Sequence, residues 1–449
     1  MPTQTITEHK KCICVEFGDT NNNKVWQYTL YGDGTALTEW GRVGKNLQSK
    51  MTDHSTALKK WAEKTNPNNK PDKRYTEVKS VDTGSSSTST SSSVKSAALK
   101  DIARKQIKST NPLVQELIDY CAKVNIHQIM KQSGGKITYD ASSAQFKTPL
   151  GVIAPDQVAE ARAFLVDISD FVSNNDFDNS RFAPTLNSYL RLIPHAVGMS
   201  KISPKLIFPN TQTVVAENDL LDGLETSFID VTTKPADIKK KTKKVAAPKV
   251  FDVQLEIETD SKIISHVKHL YQSTRKSMHT SNNLSVQTVY KVSIKTMKDR
   301  FDGRGSKMKN IWQLWHGTKA SNLLSIMKGG LIIPSSGAAH CTGRMYGDGI
   351  YFSDISTKAL NYATNFWGGG GQTDRTFMFL ADVAMGKFHI ASGGWGGYPK
   401  AGFESTWAKG RDKGGTHSGV INDEMIVYNL DQCNLVYLVE FVPRNQYKD

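Results

Sequence analysis

The chain has no run approaching about 18 uninterrupted apolar residues, which excludes a membrane-spanning helix. Its opening stretch, Met1 to Lys11, is polar and lacks the apolar core of a secretory signal, so a reducing compartment is expected. Cysteine is scarce. The five thiols (Cys12, Cys14, Cys121, Cys341, Cys433) are too scattered for a disulfide framework, and no CxxC pair is present to anchor zinc. Cys12 and Cys14 alternate in an apparent strand and read as packed thiols on one face. The phosphate-loop pattern GxxxxGK[ST], the nucleophile elbow GxSxG and the zinc-protease HExxH are all missing. The Gly368 to Gly371 run lacks the lysine of a phosphate loop and reads as a mobile loop.

What is present in excess is positive charge. The 449 residues carry 57 Lys plus Arg against 43 Asp plus Glu, a net +14 that suits a polyanionic partner. Residues 231–250 hold seven lysines and one aspartate, with Lys239, Lys240, Lys241, Lys243 and Lys244 in one KKKTKK run. Composition leaves two readings of this run open, a nuclear import signal and a self-repelling solvated linker.

The pattern changes along the chain predict a multidomain α+β protein. In residues 1–80, Trp26, Tyr28 and Leu30 alternate, a Gly32-Asp33-Gly34 turn follows, and Leu37 to Val43 is again extended, predicting a hairpin. With a helix over Ser55 to Lys64, this makes a small β-rich domain. Gly84 to Ser93 (GSSSTSTSSS) has nothing to bury and marks a flexible linker, drawn over 81–108. In 109–232 the period becomes helical. Asn111 and Pro112 sit at an N-cap and first helical position, and Leu113, Leu117, Cys121 and Val124 follow; Val158, Ala161, Leu165, Ile168 and Val172 repeat the spacing, predicting an all-α helical bundle. After a Lys-rich linker at 233–250, residues 251–449 return to short β-rich runs between glycine-rich loops. Val286 to Ile294, Ile311 to Trp315, Phe377 to Val383, Met425 to Tyr428 and Leu435 to Phe441 predict an α+β domain with mainly antiparallel sheets.

Three segments in this last region stand out: Leu314-Trp315-His316-Gly317-Thr318, Tyr346-Gly347-Asp348-Gly349-Ile350-Tyr351-Phe352 and Asn422-Asp423-Glu424-Met425-Ile426-Val427-Tyr428. In order and spacing they resemble the His, Tyr and Glu signatures of the poly(ADP-ribose) polymerase family, with Ala359 to Ala363 (ALNYA) between them. Thr38 to Gly44 (TEWGRVG) is similar to the WGR nucleic-acid-binding domain. Pro149-Leu150-Gly151 and Leu192-Ile193-Pro194-His195 resemble the family's helical regulatory domain. The resemblance covers nearly the whole chain and points to the DNA-dependent branch.

It implies NAD+ as substrate, no metal, nicotinamide release, and transfer of ADP-ribose to protein acceptors, the chain itself among them, with elongation into polymer. It also implies a nuclear role in the response to DNA breaks. Cleaving nicotinamide from NAD+ builds positive charge on a ribose carbon, so a carboxylate is needed beside it, together with a clamp for the leaving ring. The resemblance gives Glu424 the carboxylate role and His316 a hold on the adenine-side ribose. Gly317, with Thr318 beside it, grips the nicotinamide amide through its backbone. Tyr351 and Tyr362 enclose the nicotinamide ring, Lys358 flanks the acceptor region, and Trp40 and Arg42 face the phosphate-rich end of broken DNA. Taken singly, each has a plainer reading: a packed core histidine, core tyrosines, a solvated lysine or arginine, a buried tryptophan, a surface glutamate. The chain departs from the family at Ala359, where a serine hydroxyl usually meets the nicotinamide carbonyl, and in the loop from Pro334 to Arg344. A transferase adding a single ADP-ribose and an idle DNA-end scaffold remain the alternatives.

Overall fold

The structure, a computed structural model, describes the chain apart from residues 1–4, 18–20, 79–98, 108, 110, 141–144, 150, 198–202, 228–250, 334–344, 365–374, 395–396, 415–418 and 445–449. The serine run, the KKKTKK run, Gly368 to Gly371 and the Pro334 to Arg344 loop therefore lie outside the described residues. The chain forms two compact units, one of residues 1–95 and 129–228, the other of 96–128 and 229–449.

The first unit begins with β1 (Ile6–Phe17), β2 (Asn21–Tyr31), β3 (Thr35–Arg42) and β4 (Gln48–Asp53), then α1 (His54–Thr65) and the short β5 (Thr76–Glu77). These strands form an antiparallel sheet in the order β4-β3-β2-β1-β5. The alternation of Trp26, Tyr28 and Leu30 becomes one buried face, closed by Cys12, Ala36 and Ala57. Gly34 turns the β2–β3 hairpin with φ +88°, a conformation that costs a side-chain-bearing residue strain. Asp53 caps α1 by accepting the Thr56 amide at 2.8 Å.

Two helices follow, α2 (Leu99–Gln106) and α3 (Pro112–Gln132). The linker drawn over 81–108 thus contains a helix, because Ala103 and Ile107 have apolar partners to bury against. At α3 the expected start is found, with Asn111 Oδ1 accepting the Leu113 amide at 3.0 Å and Pro112 first in the helix. The boundary between the two units falls within α3. Beyond it, the first unit continues with β6 (Thr138–Asp140), β7 (Gln145–Thr148) and β8 (Gly151–Val152), then α4 (Pro155–Ser173), α5 (Phe182–Leu192), α6 (Pro204–Ile207) and α7 (Thr211–Ser227). The helical spacing of 158–172 lies on α4, where Val158, Ala161, Leu165, Ile168 and Val172 are all buried. The three-stranded sheet β6-β7-β8 is an addition that helical periodicity does not reveal.

The second unit completes itself with β9 (Val253–Ile257), α8 (Ser261–Ser273), β10 (Leu284–Ile294), α9 (Lys295–Gly303), β11 (Ile311–Gly317), α10 (Leu323–Gly329), β12 (Ile350–Phe352), α11 (Ser356–Ala363), β13 (Thr376–Ala384), β14 (Phe388–Ile390), β15 (Ser405–Ala408), β16 (Glu424–Val427) and β17 (Cys433–Pro443). One sheet runs β11-β13-β17-β10-β9 and a second β12-β16-β15-β14; among the described strands only β14 and β15 pair in parallel. Val114, Leu117, Ile118, Cys121 and Ala122, all from the first part of α3, share a core with Phe377, Phe379, Leu435 and Leu438 of the large sheet. Arg375 stacks on the Tyr120 ring at 4.8 Å and pairs with the buried Glu440 at 2.6 Å, which also accepts the Tyr290 hydroxyl at 2.9 Å. The start of the helical region is thus built into the β-rich unit. No described helix is long and apolar enough to cross a membrane.

Candidate functional site

The two sheets of the second unit meet where the candidate residues cluster. Trp315 on β11 exchanges both backbone hydrogen bonds with Ser353, just after β12, at 2.9 and 3.0 Å. That pairing aligns the end of β11 with the end of β12. His316 Nδ1 consequently sits 3.0 Å from the carbonyl oxygen of Tyr351. A carbonyl can only accept, so the ring donates from Nδ1 and its neutral form leaves Nε2 as an acceptor. Burial pulls the His316 pKa down, against the opposing effect of that hydrogen bond, which favours this neutral form.

Gly317 ends β11 where the strand crosses α11. A Cβ there would lie 1.7 Å from the Ala359 carbonyl oxygen, so only glycine allows the crossing. Thr318 follows as a buried residue. Tyr351 is fixed at its far end, its hydroxyl donating to the Gly347 carbonyl at 2.9 Å and accepting the Tyr346 amide at 3.0 Å. The YGDG turn is held in its turn by Tyr428, whose hydroxyl donates to the Tyr346 carbonyl at 2.7 Å. Burial, and secondarily the negative charge of Glu424, push the phenols of both Tyr351 and Tyr362 well above their ordinary value, so both rings are neutral.

Glu424 opens β16 and Lys358 lies in the first turns of α11. Their charged ends meet at 2.8 Å with each side chain 13% exposed, a nearly enclosed ion pair. The same ammonium also donates to the Asn422 and Asp423 carbonyls at 3.0 and 3.2 Å. Lys358 is therefore not the freely solvated lysine of its plainer reading. Around it, Thr357 accepts the Lys276 amide at 3.0 Å and meets His279 Nδ1 at 2.8 Å, tying the 275–283 segment to α11.

The structure thus brings His316, Gly317, Tyr351, Tyr362, Lys358 and Glu424 into one region of the second unit. Trp40 and Arg42 belong to the first unit. On β3, Trp40 stands opposite Trp26, half-buried, and the Arg42 guanidinium donates to Asn21 Oδ1 at 2.7 Å and to its carbonyl at 3.2 Å. Sequence reasoning passed over Asp423, Ser353, Tyr428 and Trp407, which touch the candidate residues or hold what does. Asp423 had a visible signal, a second acid beside Glu424. Trp407 had none, because its relevance depends on strand pairing. Among the described residues no group of three or more His, Cys, Asp or Glu is placed to hold a metal.

Residues 261–442 match the profile of the poly(ADP-ribose) polymerase catalytic domain, and residues 109–253 that of the poly(ADP-ribose) polymerase regulatory domain. Poly [ADP-ribose] polymerase 2-B of Oryza sativa subsp. japonica is 27% identical over 263 residues, covering 58% of this chain and 42% of its own length. Poly [ADP-ribose] polymerase 2 of Zea mays is 25% identical over 464 residues, 94% of this chain and 68% of that protein. Poly [ADP-ribose] polymerase 1 of Xenopus laevis is 27% identical over 360 residues, 73% of this chain and 34% of that protein. The chain therefore spans from about a third to about two thirds of the length of these relatives.

Proposed function

Because the chain belongs to the poly(ADP-ribose) polymerase family, we propose that it cleaves NAD+, releases nicotinamide and transfers ADP-ribose to protein acceptors, extending the product into polymer. The observation that carries this reading is the nearly enclosed Glu424–Lys358 pair in the same region as the neutral rings of Tyr351 and Tyr362. As the bond to nicotinamide breaks, its electron pair leaves with the ring and the ribose carbon becomes cationic. Glu424 stabilises that charge and orients the incoming acceptor hydroxyl, whose proton it accepts. Lys358, 2.8 Å away, keeps the carboxylate directed. The Gly317 backbone holds the amide of the leaving ring between Tyr351 and Tyr362. Neutral His316, with Nε2 as acceptor, receives a hydrogen bond from a ribose hydroxyl at the adenosine side.

The finer part of the proposal is regulation in the nucleus by broken DNA. The excess of positive charge and the Thr38 to Gly44 segment support DNA-end binding through Trp40 and Arg42, by phosphate contacts without base readout. The match of residues 109–253 to the regulatory-domain profile supports a restraint on catalysis, which in this reading DNA relieves.

The test is the full chain with labelled NAD+, with and without nicked or blunt DNA, beside Glu424→Gln. Expected are nicotinamide release and a ladder of products that DNA strengthens. The Gln variant should bind NAD+ normally and make no ladder, since it keeps shape and loses charge. A chain inert under all conditions, or a ladder from the variant, overturns the proposal.

A further inference from the structure

Asp423 is completely buried, yet it is a carboxylate. Such a group is costly to desolvate unless it is fully engaged, and each of its oxygens is. Oδ1 accepts the Gly410 amide at 2.7 Å, and Oδ2 accepts the Trp407 indole N–H at 2.8 Å with the Lys413 ammonium 3.5 Å away. Lys413 also pairs with Asp354. Meanwhile the main-chain carbonyl of Asp423 accepts the Ser353 hydroxyl at 3.0 Å and the Lys358 ammonium at 3.2 Å.

The two segments joined by this carboxylate are backbone against backbone. A Cβ on Gly410 would come within 2.4 Å of the Ile421 carbonyl oxygen and 2.6 Å of Asn422 Cα. The Arg411 and Asp412 amides donate to the Val420 and Ile421 carbonyls, each at 3.1 Å. Trp407 is itself locked edge-on against Trp312 and Phe388, with ring centroids at 5.5 and 5.7 Å.

We infer that Asp423 is the positioning residue for the transfer step: through Trp407, Gly410 and Lys413 it fixes the main chain from which Glu424 projects. The inference rests on the transferase reading above. Asp423 touches no reacting atom. It acts because Glu424 is the next residue, and a carboxylate displaced by about 1 Å loses on the order of a hundredfold in rate. The residues proposed to grip NAD+ on its nicotinamide and adenosine sides, His316, Gly317, Tyr351 and Tyr362, lie on other elements, so a displaced Glu424 slows turnover and leaves substrate binding in place.

The experiment compares full-length Asp423→Asn and Trp407→Phe with the wild type. Asparagine keeps the size but turns an NH2 group toward a donor whichever way it is placed; phenylalanine deletes one donor and keeps the carboxylate. Nicotinamide release is measured for kcat and KM, and titration with a non-hydrolysable NAD+ analogue gives the fraction of binding-competent molecules. The expected result for Asp423→Asn is kcat reduced at least about tenfold with KM within about twofold and full binding competence; Trp407→Phe falls in the same way by less. Unchanged kcat in both variants, or a loss of activity that merely follows a loss of competent molecules, overturns the inference. If Asp423→Asn does not fold, Trp407→Phe decides by the same criterion. A wild type that releases no nicotinamide overturns the transferase reading and this inference together, whereas an active wild type with unaltered variants overturns the inference alone.

Discussion

Gly317 crosses α11 so closely that a Cβ would stand 1.7 Å from the carbonyl oxygen of Ala359, which sets the main chain of residue 359 against the backbone proposed to grip the nicotinamide amide. Ala359 is 4% exposed. It packs in an apolar cluster with Trp315 and Leu380, and a serine here would carry the hydroxyl that the family resemblance places at the nicotinamide carbonyl.

Ala359→Ser should therefore lower KM for NAD+. A gained hydrogen bond of about 0.5 to 1.5 kcal/mol corresponds to a several-fold to roughly tenfold change, with kcat little altered. Steady-state nicotinamide release measures it, and an unchanged or raised KM would show that another group already serves the amide carbonyl.

Arg42 is tied to Asn21 by two hydrogen bonds, at 2.7 and 3.2 Å, which hold its guanidinium at the end of β3. Arg42→Ala should weaken binding to DNA ends, reduce the slope of log affinity against log salt by about 1, and lower DNA-stimulated activity more than basal activity. Fluorescence anisotropy with blunt duplexes at several salt concentrations reads this. Equal binding at every salt concentration would remove β3 from the DNA surface.

The packing of Val114, Leu117, Ile118 and Cys121 into the core of the β-rich unit decides how the helical region can be tested. Deleting all of 109–232 would strip that core. Removing 129–228, joined by a short Gly/Ser link, keeps residues 96–128 in place. If the helices restrain catalysis, this variant should release nicotinamide without DNA at about ten to a thousand times the rate of the intact chain; that gain requires roughly 1.4 to 4.1 kcal/mol of restraint. A folded variant no faster than the intact chain would make the helices a spacer.

His195 Nε2 lies 2.7 Å from Glu217 Oε1, and the same oxygen accepts the Tyr189 hydroxyl. The charge of Arg162 on α4, itself paired with Asp222 and Glu225 on α7, acts on the Tyr189 hydroxyl. Burial lowers the His195 pKa, but Glu217 outweighs it and holds it above its ordinary 6.5. A raised folded-state value means that the protonated pair stabilises fully below that ordinary value, and that the contribution disappears as pH climbs through the folded one. Thermal unfolding of the full chain should thus lose stability from about pH 6.5 upward more steeply than that of His195→Gln. Parallel curves would mean the pair contributes nothing across this window.

Local patterns were enough for much of the fold. Alternation at Trp26, Tyr28 and Leu30, the Asn111-Pro112 start and the 158–172 spacing each depend only on neighbouring residues, and each is realised in β2, α3 and α4. The three motifs around His316, Tyr351 and Glu424 were legible because each is short and contiguous. Other features depend on partners far along the chain. Nothing local distinguishes the start of α3 from its end, yet the first part finds apolar partners in β13 and β17 and joins the β-rich unit. Lys358 reads as a solvated lysine until β16 places a carboxylate 2.8 Å away. Trp407 and Asp423 have meaning only once β15 and β16 are paired, because burial and hydrogen-bond partners are properties of the assembled sheet. Sequence by itself determined the strongly patterned elements and which residue types are available for chemistry, but not α2 or the β6-β7-β8 sheet. Only tertiary structure decided which charges are desolvated, which are paired, and what holds them in position, since those energies arise between segments that the chain alone leaves far apart.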